Sequence, residues 1–461
     1  MIKKSIREIA RMVGATNDVS RFADTVIAGV SIDTRTLEKG NLFIPLRGER
    51  HDGHQFVPAA FERGAAATLW QEDVPGIPED QPVLVVKDTL QALQELARLY
   101  RQELDLKVCA VTGSNGKTTT KDILAGLLSL KFKVQKTRGN FNNHIGLPLT
   151  ILGLAEDTEV AVLEMGMNHF GEIDFLSRLA RPDAVIITNI GDAHLQELGS
   201  REGICQAKME ILNGLKEGGL FVYPGDEPLI ENELAKRELT FSTRTFGRGT
   251  DNDLYPLEIK INASGSSFRV NQAEETFHLP IMGEYNVLNA LAAMLVAREW
   301  GVPFARMNEA FAQIKLSEMR MELRPGLKGS VILNDAYNAS PTSMKAVLDL
   351  VSSLKGYTKK IVVLGDMLEL GPQEKEFHRE IGAYIDPEKI YQVYTYGPLG
   401  AYIAEGAAKK LGAERTFAFD DKAELVAKLK ENLDANTLVL VKASRGMKME
   451  EIVAAIEADD E

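Results

Sequence analysis

A short apolar strand, KVCAV (107–111), runs directly into VTGSNGKTTTKDIL (111–124), and no other feature constrains the fold of this chain as tightly. Ile123, Leu124, Leu127 and Leu128 share one face at helical spacing, so a buried strand must turn sharply on glycine into an apolar-faced helix. That geometry turns backbone N–H groups and the positive end of the helix dipole toward one point, a cradle for phosphate oxygens. Gly113, Ser114, Asn115 and Gly116 form the turn, Lys117 brings a mobile positive charge, and Thr118 and Thr119 open the helix, with the Thr118 hydroxyl in reach of a magnesium ion. Val111 stands where the longer P-loop carries a glycine, so the loop is the compact T-G-x-x-G-K-T form.

Strand and helix patterns alternate on both sides of this turn. After residue 107 come EVAVLE, DAVIITNI and GLFVYP, each separated by a helical run; VILND, KIVVLGD, IYQVYTYG, RTFAFD and TLVLVKA follow after about 315. Such alternation predicts an α/β protein with mostly parallel sheets covered by helices. Three domains are expected: residues 1–85, with short strands such as VIAGVSID; residues 86–314, opened by the linking helix TLQALQELARLYRQEL; and residues 315–461, a second, Rossmann-like α/β unit. The C-terminal unit has no G-x-G-x-x-G opening, so a dinucleotide is not indicated.

The balance of charge narrows the partners. A net charge of −13 argues against a nucleic-acid groove or an anionic membrane surface. Two cysteines, Cys109 and Cys205, provide no disulfide framework and suit a reducing compartment. The amphipathic start, MIKKSIREIARMVG, lacks the apolar run of a signal peptide, and no stretch approaches a membrane span, so a cytoplasmic location is expected.

If the central sheet is parallel, three features meet at its C-terminal edge, where open α/β sheets bind ligands. They are the P-loop, Glu164 after EVAVL, and His194 after DAVIITNIGDA. A carboxylate there can hold magnesium directly or through water. Asn286 and Asn289, three apart on a helix, could read the donor and acceptor edge of an adenine, or one of them could cap the helix. The loop TRGNFNNHIG gathers Asn140, Asn142, Asn143 and His144, more polar side chains than a turn needs. In REGICQAKMEILNGL, Ile204, Ile211, Leu212 and Leu215 form an apolar stripe, and Lys208 sits inside it. It is either a snorkelling lysine or a buried one whose neutral amine can take up CO₂.

These segments resemble the Mur ligase family of ATP-dependent amino-acid ligases over essentially the whole chain. The resemblance rests on TGSNGKTTT, GNFNNHIGLPLT, LEMGMNHFGEI, TNIGDAHL, AKMEIL, GEYNVLNALAA, the Arg320-x-Glu322 pair, NDAYNASPTSM and VLGDMLELG. It implies a UDP-binding N-terminal domain, with Ser31, Thr34 and Arg35 in SIDTRTLEKGNLFIPLRGERHDGHQF holding the UDP-sugar and Asn140, Asn142 and Asn143 also touching substrate. It implies that Arg320, Asp335, Asn286 and Asn289 join the P-loop in binding ATP. Lys117, Glu164, His194 and Lys208 are then the catalytic residues, and Thr118, Glu164, His194 and Lys208 surround two magnesium ions, Lys208 as a carbamate. Weaker candidates for positioning substrate or phosphate are Lys442, Ser444 and Arg445.

Within the family the nearest pattern is that of enzymes joining D-Ala-D-Ala to UDP-MurNAc-tripeptide through an acyl phosphate. A monomer is expected. The Asp-Asn-Pro-Arg motif of the tripeptide-forming sibling is absent, and the UDP-type N-terminal segment disfavours the folylpolyglutamate branch. Another Mur-type ligase and a non-catalytic nucleotide-dependent regulator are the remaining alternatives. Ser340 before Pro341 and Ala443 in VKASRG depart from the common family residues without removing a charge.

Overall fold

The computed structural model describes residues 1–49 and 51–458; Arg50, inside the segment assigned to the UDP-sugar, and residues 459–461 lie outside the described residues. The chain opens with β1 (Lys3–Ser5) and α1 (Ile6–Val13), capped at both ends by Ser5 and by Gly14 in the left-handed region. The amphipathic start is therefore strand plus helix, and β1 pairs antiparallel with β2 (Val26–Ala28). Then come β3 (Val30–Ser31), β4 (Leu42–Phe43), α2 (Val57–Glu62), β5 (Ala67–Gln71) and β6 (Val83–Val86). Strands β3 to β6 form a four-stranded parallel sheet in sequence order, its last strand running one residue past position 85. The linking helix α3 (Thr89–Glu103) is capped by Asp88 and buries Leu93, Leu96, Ala97 and Tyr100.

The central domain begins with β7 (Lys107–Thr112), α4 (Lys117–Leu128), β8 (Val134–Lys136), α5 (Gly146–Leu152), β9 (Val160–Glu164) and α6 (Glu172–Ala180). It continues with β10 (Ala184–Ile187), α7 (Leu195–Leu198), α8 (Arg201–Met209), β11 (Leu220–Pro224), α9 (Pro228–Leu234) and β12 (Ser242–Phe246). These strands make one parallel sheet in the order β12-β11-β10-β7-β9-β8. Alternation along β7 explains why it is central. Cys109 and Val111 join the core of α4 on one face, while Val108 and Ala110 join the core of α3 and α5 on the other. The second core reaches Ile6, Leu42 and Leu69, so the N-terminal sheet shares a continuous interior with the central domain.

A three-stranded antiparallel sheet interrupts the pattern: β13 (Pro256–Asn262), β14 (Gly265–Val270) and β15 (Thr276–Leu279). Helices α10 (Glu284–Glu299) and α11 (Phe304–Phe311) close the domain, α10 packing along α4.

The C-terminal domain runs β16 (Glu322–Pro325), β17 (Val331–Asn334), α12 (Pro341–Ser353), β18 (Lys359–Gly365), α13 (Glu374–Tyr384) and β19 (Gln392–Tyr396). It ends with α14 (Gly400–Leu411), β20 (Thr416–Phe419), α15 (Lys422–Lys430), β21 (Thr437–Lys442) and α16 (Glu450–Ile456). Its sheet, in the order β16-β17-β21-β18-β19-β20, is parallel except for the edge strand β16. Ile361 and Val363 of β18 face the core of α15 and α16, whereas Val362 and Leu364 face the other side, so helices cover both faces. The fold is the expected α/β architecture with mostly parallel sheets. Beyond expectation are β1, β8 and β16.

Candidate functional site

A cavity of about 410 Å³ lies where the C-terminal edge of the central sheet meets the C-terminal domain. Its floor is the P-loop. Gly113 has φ +152°, and a Cβ there would come within 1.8 Å of Thr188 Oγ1; at Gly116, φ is +79° and a Cβ would fall 2.6 Å from Asn289 Oδ1. Only glycine lets the loop press against both the end of β10 and α10. The segment after β10 grips the loop from below. Asn189 accepts from the Ser114 N–H through its carbonyl (3.1 Å) and from the Asn115 N–H through Oδ1 (3.0 Å), while Gly191 N–H donates to Ser114 Oγ (2.9 Å). Lys117 folds back to donate to the Gly113 carbonyl (2.8 Å). Burial lowers its pKa; Glu164 offsets part of this, and Arg320 adds to the lowering.

Glu164 closes β9, one strand over from the P-loop, with Val111 opposite it. It is 2 % exposed and held on every side. Thr118 Oγ1 donates to Oε2 (2.9 Å), Asn142 Nδ2 donates to Oε1 (2.9 Å), and Lys121 Nζ stands 3.7 Å from Oε2. His194, at φ +66°, lines the same cavity with its Nδ1 at 2.9 Å from Glu369 Oε2 of the C-terminal domain. Among the described residues no three His, Cys, Asp or Glu side chains gather closely enough to form a protein-only metal cage. The Glu164 carboxylate and the Thr118 hydroxyl beside a phosphate cradle are hard oxygen donors of the kind magnesium takes, and His194 lines the same cavity.

Lys208, on α8, is 2 % exposed and lines the cavity. The stripe position was therefore a burial signal, and the ammonium does not snorkel to bulk water. Burial first, then the nearby charge of Lys117, pulls its pKa well below the ordinary lysine value. The one offsetting neighbour among the described residues is Cys205, a thiol that burial itself pushes up to about 12 and so holds neutral.

The remaining walls come from α10 and the C-terminal domain. Asn286 donates to the Met282 carbonyl (2.8 Å), and Asn289 donates to Asn286 Oδ1 (3.2 Å), both side chains lining the cavity. The Arg320 guanidinium stacks 4.1 Å above the Tyr337 ring. Asp335 takes an ion pair from Lys442 (2.6 Å), whose ammonium also donates to the Asn338 carbonyl (2.9 Å). Three contacts tie the domains together around the cavity. Ser340 Oγ donates to Asn115 Oδ1 (3.2 Å), Thr342 Oγ1 donates to Asp192 (2.9 Å), and Asp122 accepts from both N–H and Oγ of Ser317 (2.9 Å each). Ser340 is also the N-cap of α12, which accounts for serine before Pro341.

Not every expected residue lies here. Ser31, Thr34 and Arg35 are outside this cavity, at the end of β3 and in the turn after it. Ser31 Oγ donates to the Asp33 carbonyl, and exposed Arg35 makes a fork-like pair with Asp33, with contacts of 2.7 to 3.1 Å. Asn140 is exposed and does not line the cavity. Asn143 does line it, but its Oδ1 accepts from the Ile145 and Gly146 N–H groups at the start of α5. Part of that asparagine cluster is thus ordinary turn and cap chemistry. Sequence reasoning missed Lys121, Asp122, Asn189, Tyr285, Tyr337 and Glu369. Lys121 and Asp122 carried a signal as adjacent charges within an otherwise buried helix, and the other four lie inside the quoted motifs TNIGDAHL, GEYNVLNALAA, NDAYNASPTSM and VLGDMLELG.

Family models match three successive parts of the chain: "Mur ligase family, catalytic domain" over 26–101, "Mur ligase middle domain" over 111–297, and "Mur ligase, glutamate ligase domain" over 319–445. The chain is 53% identical to UDP-N-acetylmuramoyl-tripeptide–D-alanyl-D-alanine ligase of Bacillus subtilis, covering 98% of each protein. The crystal structure of MurF from Acinetobacter baumannii superimposes with a TM-score of 0.88 at 30% identity, covering 98% of both chains. MurF of Thermotoga maritima, crystallised with ADP, has a TM-score of 0.80 at 30% identity over 93% of this chain and 96% of that one.

Proposed function

The chain belongs to the Mur ligase family, and from that premise we propose that it joins D-Ala-D-Ala to the terminal carboxylate of UDP-MurNAc-tripeptide, consuming ATP, in peptidoglycan precursor synthesis. The observation that carries this reading is the 53% identity, end to end, with the Bacillus subtilis ligase of that name. The cavity supplies chemistry to match. A carboxylate resists attack by an amine, because its charge and resonance repel the nucleophile; transfer of the γ-phosphoryl group turns it into an acyl phosphate with a good leaving group. The dipeptide amine then attacks, and the tetrahedral adduct expels phosphate.

Each residue has a part in bringing two anions together. The P-loop amides and Lys117 hold the β- and γ-phosphates and offset charge as it develops on the transferring group. Asn286, Asn289, Arg320 and Asp335 seat the nucleotide, Arg320 pinned by Tyr337 and Asp335 by Lys442. Thr118, Glu164 and His194 would hold magnesium, and Lys208, as a carbamate, would help hold a second ion. Bound there, magnesium neutralises phosphate charge and polarises the phosphoryl oxygens. Ser31, Thr34 and Arg35 would take the UDP end of the substrate, and Asn142 and the loop around it would take part of the peptide. Closure of the C-terminal domain keeps water from the acyl phosphate.

No helix among the described residues is long and apolar enough to cross a membrane. We assign the enzyme to the cytoplasm, acting as a monomer. Phosphate release tests the reading: it should require ATP, the UDP-tripeptide and D-Ala-D-Ala together. Release at full rate without the dipeptide would argue against it.

A further inference from the structure

His194 and Glu369 face each other across the interface between the central and C-terminal domains, and neither sits there by default. Both are non-glycine residues in the left-handed region, at φ +66° and +63°, a conformation that few residues other than glycine adopt. The surroundings of Glu369 are rigid. Met367 N–H donates to the buried His378 Nε2 (2.9 Å), Leu368 N–H donates to Ser444 Oγ (2.9 Å), and Ser444 N–H returns to the Asp366 carbonyl (3.0 Å). On the other side, a Cβ at Gly371 would lie 3.3 Å from Gln196 Cα, so the segment after Glu369 touches the backbone of α7. Between them, Nδ1 of His194 is buried 2.9 Å from Glu369 Oε2, in reach but not yet aligned as a hydrogen bond.

We propose that Glu369 is a positioning residue for His194, delivered only when the C-terminal domain closes. A carboxylate only accepts, so contact with it requires a proton on Nδ1 and, in the neutral ring, leaves the Nε2 lone pair for the cavity. That is the form in which an imidazole can ligate a metal, and a carboxylate behind the ring fixes both tautomer and orientation. Such contacts are often loose without substrates and tighten in the full complex. Closure would then do more than exclude water: it would set the tautomer of a residue in the other domain. The inference rests on the ligase reading, but its main readout does not depend on turnover.

The test is ¹⁵N-histidine NMR of the full chain with magnesium, a non-hydrolysable ATP analogue and the UDP-tripeptide, His194 being assigned with His194→Gln. Wild type should show the Nδ1–H tautomer at His194, and Glu369→Ala should shift it toward Nε2–H. In parallel assays Glu369→Ala should lose kcat by about tenfold or more, as for other groups that orient a metal ligand, with KM for ATP nearly unchanged. Glu369→Gln, whose amide oxygen still accepts, should recover most of the tautomer and part of the rate. An unchanged tautomer in Glu369→Ala overturns the proposal whatever the rate does. If small-angle scattering shows that this variant has lost closure while its tautomer holds, Glu369 is a domain latch only. A wild-type enzyme with no ligase activity would instead strike at the ligase reading and leave the tautomer result standing.

Discussion

Thr118, in the first turn of α4, donates its hydroxyl to Glu164, the last residue of β9, across 2.9 Å. The contact joins the phosphate cradle to the carboxylate of the neighbouring strand and leaves both groups nearly out of bulk water. These two oxygen donors, paired beside the phosphate cradle, are the residues that would hold magnesium next to the nucleotide phosphates.

Lys117→Ala should abolish ligation while leaving the fold intact, because it removes a charge from the N-terminal end of α4 and no apolar side chain from the core. Steady-state kinetics should show a loss of roughly 10²-fold or more, the usual scale for removing one donor to a developing anion. Turnover within threefold of wild type would remove Lys117 from the mechanism.

Gly116→Ala tests the shape of the cradle. The new Cβ would meet Asn289 Oδ1 at 2.6 Å at a backbone φ of +79°. A left-handed residue with a side chain is disfavoured by about 1–3 kcal/mol, so the loop should distort and nucleotide affinity fall by roughly tenfold or more. Isothermal titration with ADP reads this directly, and an unchanged affinity would show that the loop tolerates a Cβ.

Lys208 should depend on CO₂ and pH together. Its lowered pKa means that the folded protein carries a neutral amine at pH values where an ordinary lysine is charged. Carbamate formation consumes that neutral amine and releases a proton, so occupancy should rise with pH and with bicarbonate. The same shift disfavours the protonated folded state, so this residue's contribution to stability improves as pH rises from the folded pKa toward 10.5. Activity in CO₂-free buffer should drop most at low pH. Lys208→Ala should be inactive and partly rescued by acetate; no rescue at any concentration would return Lys208 to a packing role.

Much of the framework was legible because it is local. The strand, glycine turn and helix of 107–128 announce themselves by spacing, and an apolar stripe marks Lys208 while leaving snorkelling and burial both open. Both depend on residues within a few turns of each other. Short edge elements were not legible: β8 reads VQK and β16 reads ELRP, with polar residues and a proline that alternation does not flag. The contacts that complete the cavity were hidden for a different reason. Ser340 with Asn115, Ser317 with Asp122 and Glu369 with His194 each join residues more than 170 positions apart. Nothing in either local segment encodes its partner, so only the folded arrangement reveals them. Ser31, Thr34 and Arg35 came from family resemblance alone, and they lie in the N-terminal domain away from the cavity.

The bond formed distinguishes this ligase from its siblings. Purified chain incubated with ATP, magnesium, UDP-MurNAc-tripeptide and D-Ala-D-Ala should be followed by mass spectrometry of the nucleotide-linked product. The product should be heavier by one D-Ala-D-Ala less one water, formed with one ADP and one phosphate per bond, for a lysine- or diaminopimelate-containing tripeptide. ATP hydrolysis with no change in the mass of the UDP-linked peptide, or addition of a single amino acid to a shorter peptide in its place, would contradict it.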